Sequence, residues 1–356
     1  MTFQTHQPAT DLHLPQPGGD WDPMSVFTHC SLLSIPEAEI SIFVYVRCQP
    51  AFGLSQGGLS IFRGLDNHDP YGVEFLDYRA TMPWPMVNGN AITTANGLCL
   101  EFVEPGKTLR ITYRGDGAAL DVVQTAVSPL LARGHIIPGE QDRLDLSKKP
   151  GGSEQFMHTV GELVLHGTRY EIDSYDCRDR SWAQVRSEER GAVRVPPVSW
   201  TPMYFGEDLI FNQVSFEPES TKPLWAGLYD IPANTPAHHY AWIQVDGELR
   251  EVAWVQRSVK RYHPTLYAAQ AQTIEVGDCA GHVYRFEGEA LAMAPVPVWP
   301  NAALRQFLYR WRNVADGRTA YCSGQEIWMD QAYQRQAKER LAAVADRSDR
   351  RSMAEC

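Results

Sequence analysis

The chain has 356 residues, a hydrophobic content of 44%, a charged content of 21% and a formal net charge of −11. This length is sufficient for two ordinary domains, and the composition is that of a globular protein with a buried core. The negative charge argues against nucleic acid as a partner, because such binding depends on Lys and Arg that neutralise phosphates.

Signals for a membrane or a secretory route are absent from the sequence. The longest apolar run, from Ile40 to Val46, is interrupted by Ser41 and is much shorter than a transmembrane helix. The first residues lack the apolar stretch of a secretory signal, and the seven cysteines show no paired spacing. We therefore expect a cytoplasmic protein without a transmembrane segment. The sequence does not indicate an oligomeric state.

Alternating apolar and polar residues, with many β-branched and aromatic side chains, predict strands along most of the chain. In chain order, the predicted strands are Glu39–Arg47, Leu59–Arg63, Gly97–Val103, Thr108–Tyr113, Glu162–Leu165, Leu209–Phe216, Ala241–Val245, Glu251–Gln256, Thr273–Val276 and His282–Glu287. Only the end is rich in good helix formers, and it predicts a helix over residues 325–346 followed by a frayed tail over 347–356.

Many short strands without intervening helices predict an all-β fold of sandwiches or barrels. Breaks rich in Gly, Pro and polar residues occur at 133–153 and at 195–198. Strand-like sequence continues between the two breaks, so we place the domain border at the second one. The prediction is a flexible segment over 1–20, an N-terminal β domain over 21–194 and a C-terminal β domain over 195–324.

Two short motifs that resemble catalytic or metal sites lack the context that such sites require. The run from Gly53 to Gly57 matches the G-x-S-x-G pattern of hydrolases, but a predicted strand follows it where a helix is needed. His238 and His239 are adjacent and would face opposite sides of a strand, without a third ligand at metal-binding spacing. We therefore expect a hairpin loop at the first motif, and neither a metal nor an organic cofactor.

Aromatic side chains are frequent in the second half of the chain. Most of them are expected to pack in a core or between sheets. A minority could line a lipophilic cavity of the kind that a closed β-barrel provides. The candidates for substrate contact are Trp200, Tyr204, Trp225 and Trp242.

Three motifs in the middle of the chain resemble a known family. They are Glu154-Gln155, G-E-L-V-L-H-G over residues 161–167, and R-D-R-S-W-A over residues 178–183. These motifs are similar to those of the two-domain, lipocalin-like family that includes carotenoid 1,2-hydratases, fungal intramolecular Diels–Alderases and uncharacterised bacterial relatives. Weaker similarity extends over most of the chain. The sequence differs from the family pattern at Arg180, where His is usual, and at Ala183, where Gly is usual.

The resemblance implies two consecutive lipocalin-like domains and a reaction at a carbon skeleton without a cofactor, such as hydration, isomerisation or cyclisation of a terpenoid, steroid or aromatic compound. By resemblance, Asp179 supplies a proton and the indole of Trp182 stabilises a cation, with Asp176 as a further candidate for proton transfer. Arg180, assisted by Arg178, is expected to bind a carboxylate or phenolate of a lipophilic substrate.

Strand alternation complicates this assignment. Arg178, Arg180 and Trp182 share one face of the predicted strand, whereas Asp179 and Ser181 share the other. Asp179 and Trp182 can meet one substrate only if a bulge intervenes or if the strand lies between two cavities.

A structural alternative remains for the same motif: Asp179 pairs with Arg178 and Arg186 at the domain junction while Trp182 packs in a core. Glu154, Gln155 and Glu326 are structural or supporting candidates.

Three function classes are compatible with the sequence. The first is a cofactor-independent lyase, isomerase or cyclase that acts on a lipophilic molecule. The second is a lipocalin-like carrier or sensor that binds such a molecule without chemistry. The third is a structural or stress-related protein without a small ligand, which the absence of a cavity would favour.

Overall fold

The computed structural model describes residues 11–132, 151–185, 196–229, 231–299 and 302–329, together with Arg335, Lys338 and Glu339. Strands make up 64% of the described residues and all of the sheet pairing is antiparallel, and the prediction of an all-β fold is confirmed. Each of the ten predicted strands overlaps an observed strand. Over these residues, no helix has the length and apolarity needed to span a membrane.

The first twelve strands form one sheet that curves into a half-barrel. They are β1 (Ser25–Ile35), β2 (Ile40–Gln49), β3 (Leu54–Phe62), β4 (Phe75–Pro83), β5 (Met86–Asn88), β6 (Ala91–Thr93), β7 (Cys99–Glu104), β8 (Thr108–Gly115), β9 (Ala118–Ala126), β10 (Leu131–Ala132), β11 (Gly151–Leu165) and β12 (Thr168–Val185). Their order across the sheet is β4-β3-β2-β1-β12-β11-β9-β8-β7-β6-β5, with β10 paired to β11. The strand that carries the R-D-R-S-W-A motif, β12, therefore lies inside the sheet between β1 and β11.

The remaining nine strands form a second sheet. They are β13 (Val198–Trp200), β14 (Met203–Tyr204), β15 (Leu209–Phe216), β16 (His238–Val245), β17 (Glu248–Tyr262), β18 (Ala269–Asp278), β19 (Val283–Val296), β20 (Ala302–Asn313) and β21 (Thr319–Met329). Because β13 pairs with both β21 and β15, eight of these strands close into a barrel, and β14 pairs with β15 along the same edge as β13. The chain passes from the first sheet to the second between β12 and β13.

Three large apolar clusters fill the interiors of the two sheets and the layer between them. One cluster lies on the inner face of the half-barrel and includes Ile42. A second contains Phe286 and Trp311 and fills the barrel with large side chains. The third joins the outer face of the half-barrel to the outside of the barrel, with Phe43 from β2 and Trp242 from β16. Burial at this third cluster fixes the two sheets face to face, and the candidate site lies within the same layer.

Two sequence-based expectations differ from the structure. The predicted helix cannot begin at residue 325, because β21 continues to Met329 and its residues pair with β20. Arg335, Lys338 and Glu339 are helical, whereas the rest of the predicted helix after Met329 and the tail lie outside the described residues. Tertiary pairing overrides the helix propensity of this segment at its start.

The N-terminal segment was expected to be flexible. In the structure, Asp11 is fully buried and ion-paired with Arg178, and the backbone N–H of Gly18 donates to the Pro50 carbonyl at 2.8 Å. The part of this segment that the structure describes, from residue 11 onward, is therefore attached to the first sheet; residues 1–10 lie outside the described residues.

The G-x-S-x-G run is not a nucleophile elbow. Gly53 ends a short 3-10 turn with φ of 60°, and Ser55 already lies in β3. The Ser55 hydroxyl donates to the Pro83 carbonyl at 2.7 Å. A Cβ at Gly57 would approach the Tyr45 carbonyl oxygen to 2.0 Å, so this glycine is required for close strand packing. Gly53 thus ends the hairpin loop between β2 and β3, as expected from the sequence, whereas Leu54 to Gly57 already lie in β3.

Candidate functional site

A cavity of about 330 Å³ lies between the outer face of the half-barrel and the outside of the barrel. The half-barrel contributes residues of β1, β2, β11 and β12, and the barrel contributes residues of β13, β15, β16, β20 and β21. Most of the lining is aromatic or aliphatic, including Phe43, Trp200, Val214 and Leu304. A cavity of this size and character suits a small lipophilic ligand.

A row of polar side chains crosses the half-barrel side of this cavity. Tyr45 on β2 is in register with Cys30 on β1, Cys30 with Asp179 on β12, and Asp179 with Glu154 on β11. All four side chains line the cavity. Directly opposed residues of antiparallel strands have Cβ atoms about 4.5–5.5 Å apart. Two carboxyl groups therefore lie side by side beneath an otherwise apolar space, an arrangement suited to proton transfer.

The barrel side of the cavity supports this pair through Asn212 on β15. The Trp200 indole N–H donates to Asn212 Oδ1 at 3.0 Å. Asn212 Nδ2 donates to Glu154 Oε2 at 2.5 Å and to Tyr240 Oη at 3.2 Å. Asn212 is fully buried, so these contacts replace the water that its amide would otherwise bind. The network connects the two sheets across the site.

Of the sequence-predicted catalytic residues, Asp179 and Trp182 lie on opposite faces of β12. Trp182 is fully buried within the cluster on the inner face of the half-barrel, and it does not line the cavity. A bulge in β12 was one of the two conditions under which Asp179 and Trp182 could meet the same substrate. Such a bulge is present: Trp182 and Ala183 together oppose Phe27 of β1. Pairing with β11 stays regular from Glu154↔Asp179 to Trp182, so the bulge does not bring the two side chains to one side.

Arg180 shares the inner face with Trp182, as strand alternation predicted. It is buried, and its guanidinium donates to the carbonyls of Thr28, Ser181 and His13. Burial lowers the pKa of Arg180 to about 10. The structure therefore separates Arg180 from the carboxyl pair, and its side chain serves to hold backbone segments together.

Arg178 is also buried on this inner side. Its guanidinium forms a bidentate pair with Asp11, at 3.0 and 2.7 Å, and contacts Gln155 Oε1 at 3.1 and 2.6 Å. The Gln155 amide in turn donates to the carbonyls of Gly106 and Ser128. Neither Arg178 nor Gln155 lines the cavity, and both connect the N-terminal segment to the sheet. Arg186, the other partner considered for Asp179, lies outside the described residues.

Asp176 lies where β12 meets β21 of the barrel. Its carboxyl group accepts the Ser34 hydroxyl at 2.7 Å and the backbone N–H of Ser323 at 2.6 Å. The side chain is fully buried, and burial raises the pKa of Asp176 to about 7. It does not line the cavity, so its geometry is that of a junction between the two sheets.

Of the four aromatic residues predicted to contact substrate, only one lines the cavity. Trp200 lines the cavity. Tyr204 stacks on Tyr175 at a centroid distance of 4.4 Å, and Trp242 packs edge-on against Phe156 at 5.8 Å; both belong to the layer between the sheets without lining the cavity. Trp225 belongs to a separate apolar cluster, which it forms with Phe216, Tyr229, Tyr267 and Trp328.

Sequence reasoning missed four residues of the site: Cys30, Tyr45, Asn212 and Tyr240. Glu154 was considered only as a supporting residue. One local signal was present, because Asn212 is a polar residue within the apolar strand LIFNQVSF. A buried amide in such a strand requires specific partners, but the sequence alone could not identify them.

One group of potential metal ligands, Asp66, His68 and His263, converges among the residues that the structure describes. His263 Nδ1 accepts the backbone N–H groups of Thr265 and Leu266 at 3.2 and 3.1 Å. In a neutral imidazole the proton then resides on Nε2, the nitrogen that faces Asp66 at 3.8 Å. A metal bound at Nε2 would require the imidazole proton on Nδ1, where two backbone N–H groups already donate, so the geometry does not fit a metal site.

Comparison with known proteins supports a shared architecture. The family model for a domain of unknown function, DUF7064, matches residues 13–330. No curated protein matches the sequence significantly.

Two solved structures resemble this one along nearly their whole length. Kievitone hydratase from Nectria haematococca shares 14% identity at a TM-score of 0.51, over 91% of this chain and 93% of that chain. A Nitrosomonas europaea protein, provisionally described as an AttH protein, shares 11% identity at a TM-score of 0.47, over 93% of this chain and 99% of that chain.

At these identities, the likeness to kievitone hydratase shows a common fold. The grouping with carotenoid hydratases and Diels–Alderases stays a prediction. The family model spans both sheets, and the chain therefore belongs to the DUF7064 family.

Proposed function

We propose that this protein is a cofactor-independent lyase of the hydratase type that acts on a lipophilic small molecule in the cavity between its two sheets. The observation that carries the proposal is the pair of carboxyl groups, Asp179 and Glu154, opposed in register beneath an aromatic and aliphatic cavity. The fold shared with a hydratase is compatible with this function but does not specify the reaction.

The pair can divide the two proton transfers of alkene hydration. Asp179 gives its proton to one alkene carbon, and the π electrons form the new C–H bond. Water adds its oxygen to the other carbon, and Glu154 takes the proton that this water loses. The Asn212 N–H directed at Glu154 suits Glu154 as the proton acceptor of the pair. Because the two carboxyl groups are direct cross-strand neighbours, the proton can return from Glu154 to Asp179 and complete the cycle.

The walls of the cavity fit the charge that develops in such a reaction. Protonation of an alkene leaves a positive charge on carbon, and the electron-rich faces of aromatic rings attract positive charge. Trp200 and Tyr240 line the cavity on the barrel side, opposite the carboxyl pair. Isomerisation or cyclisation of the same cation requires no other groups, so these reactions belong to the same proposal.

The test is a screen of lipophilic alkenes, terpenoid alcohols and aromatic acids that follows Trp fluorescence and product mass together. We expect Asp179→Asn and Glu154→Gln each to lower turnover at least about 100-fold while ligand quenching persists. Glu171→Gln, an exposed carboxylate on the same strand, is the matched control and is expected to behave like wild type.

A mass change that is equally fast in wild type and both site variants would reject the carboxyl pair. Quenching without product in any of the proteins would instead identify a carrier for lipophilic molecules.

A further inference from the structure

The hydrogen bonds around Asn212 have a fixed direction. An indole N–H can only donate, so the Asn212 atom that faces Trp200 Nε1 must be the amide oxygen. The amide nitrogen is thereby turned toward Glu154 and Tyr240. Exchange of the two amide atoms would place two N–H groups against each other and is excluded.

This direction determines what the Tyr240 hydroxyl can do. An amide nitrogen donates and does not accept, so Tyr240 Oη is the acceptor in its contact with Asn212. The hydroxyl proton of Tyr240 must then point elsewhere. Tyr240 is 8% exposed and lines the cavity, and its hydroxyl donates to no group within the described part of the chain. A nearly buried donor is therefore available to a ligand in the cavity.

We propose that the Tyr240 hydroxyl binds an oxygen atom of the ligand, and that Asn212 is the positioning residue that aims it. The ligand class is a lipophilic molecule with a carbonyl, ether or hydroxyl oxygen close to its reactive carbons. This inference rests on the proposed function only in taking the same cavity as the ligand site. With about 330 Å³, the cavity lies at the lower end of the usual range for ligand pockets, which favours molecules of one or two rings.

The reason for selectivity is the cost of an unused donor. A site built to hydrogen-bond a ligand oxygen disfavours the analogue without that oxygen, because a buried hydroxyl then has no acceptor. A net hydrogen bond of about 1.4 kcal/mol corresponds to about tenfold in affinity.

Carvone and limonene provide the test, because they share a carbon skeleton and differ by one carbonyl oxygen. Their dissociation constants are measured by Trp fluorescence in wild type, Tyr240→Phe and Asn212→Leu, with Tyr204→Phe as a control tyrosine that does not line the cavity. We expect wild type and Tyr204→Phe to prefer carvone about tenfold. In Tyr240→Phe the preference should disappear through weaker carvone binding, with limonene affinity changed less than about twofold.

Asn212→Leu tests the positioning role. Its preference for carvone should fall although limonene affinity is retained, whereas a merely structural role would weaken both ligands alike. A tenfold preference that survives in Tyr240→Phe, equal affinities in wild type, or no binding of either compound by wild type would each overturn the inference.

Failure of the proposed function is distinguishable from these outcomes. A carvone preference that depends on Tyr240 in a protein without turnover supports the inference and rejects the lyase. Turnover that depends on Asp179, in a protein that does not prefer carvone, supports the lyase and rejects the inference.

Discussion

The junction between the two sheets should make stability depend on pH through Asp176. Burial raises the pKa of this carboxyl from 3.8 to about 7, although Ser34 and Ser323 both donate to it. A carboxyl whose pKa is raised on folding binds its proton more tightly in the folded than in the unfolded chain. Its stabilising contribution is therefore fully present below about pH 4 and is lost as the pH rises through about 7.

The magnitude follows from the two pKa values. At about 1.4 kcal/mol for each pH unit, the interval from 3.8 to about 7 corresponds to about 4 kcal/mol. Between pH 5 and pH 8 the loss is about 3 kcal/mol, because part of the change falls below pH 5. The thiols of Cys177 and Cys322 also interact with Asp176, but burial raises the pKa of both, so they remain neutral in this range.

The assay is urea unfolding of wild type and Asp176→Asn between pH 5 and pH 8. Asparagine retains the shape of the side chain and an oxygen for the Ser323 N–H, but it has no charge to bury. We expect the free energy of unfolding of the variant to rise relative to that of wild type by about 3 kcal/mol over this range. Glu171→Gln, which removes an exposed carboxyl of the same strand, should remain parallel to wild type. Parallel curves for Asp176→Asn and wild type would refute the reasoning.

Three further substitutions test the separation of structural and site residues. Asp11→Ala leaves the buried Arg178 guanidinium without its carboxylate. We therefore expect the free energy of unfolding, measured in urea, to fall by about 3–5 kcal/mol. Ala183→Gly should raise the free energy of unfolding by about 0.5–1 kcal/mol in the same assay, because φ of 50° at Ala183 is strained for any residue with a Cβ; an unchanged or lower value would contradict the strain. Trp182→Phe should lower stability by about 1–3 kcal/mol and leave ligand affinity unchanged in a fluorescence titration, because Trp182 is buried away from the cavity; a loss of affinity would place it in the site.

At position 183, where the lipocalin-like family that this sequence resembles usually has glycine, the backbone has a positive φ. This position lies in the bulge of β12 opposite Phe27 and adopts the left-handed conformation that glycine favours. This chain places Ala183 there. The departure concerns the bulge on the inner face and leaves the register of Asp179 with Glu154 unchanged.

The second departure, Arg180, also belongs to the inner face. Its guanidinium lies about 6 Å from the rings of Phe27 and Trp182 and bonds to backbone carbonyls. The carboxylate or phenolate partner expected from the sequence is replaced by these carbonyls. A site residue predicted by similarity thus has a local structural role in this chain.

The alternation of apolar and polar residues along the sequence was sufficient to predict much of the fold. The strands were predicted because period-two alternation is a property of consecutive residues, and it was clearest where one face is buried, as in Thr108–Tyr113. Alternation also predicted that Asp179 would face away from Arg180 and Trp182. The buried strand β1 was missed because its buried polar residues Thr28, His29 and Ser31 do not follow a period of two.

Alternation and composition were sufficient to predict the all-β class, most of the long strands and the motif strand that carries Asp179. The face of β12 that meets the cavity could not be predicted in this way, because it depends on the barrel packing against the outer face of the half-barrel. The tertiary structure also shows that Asp179 opposes Glu154, 25 positions earlier in the chain, and that Asn212 and Tyr240 complete the site from the other sheet. Such partners are set by strand register and inter-sheet packing, which couple residues far apart in sequence and leave no local pattern.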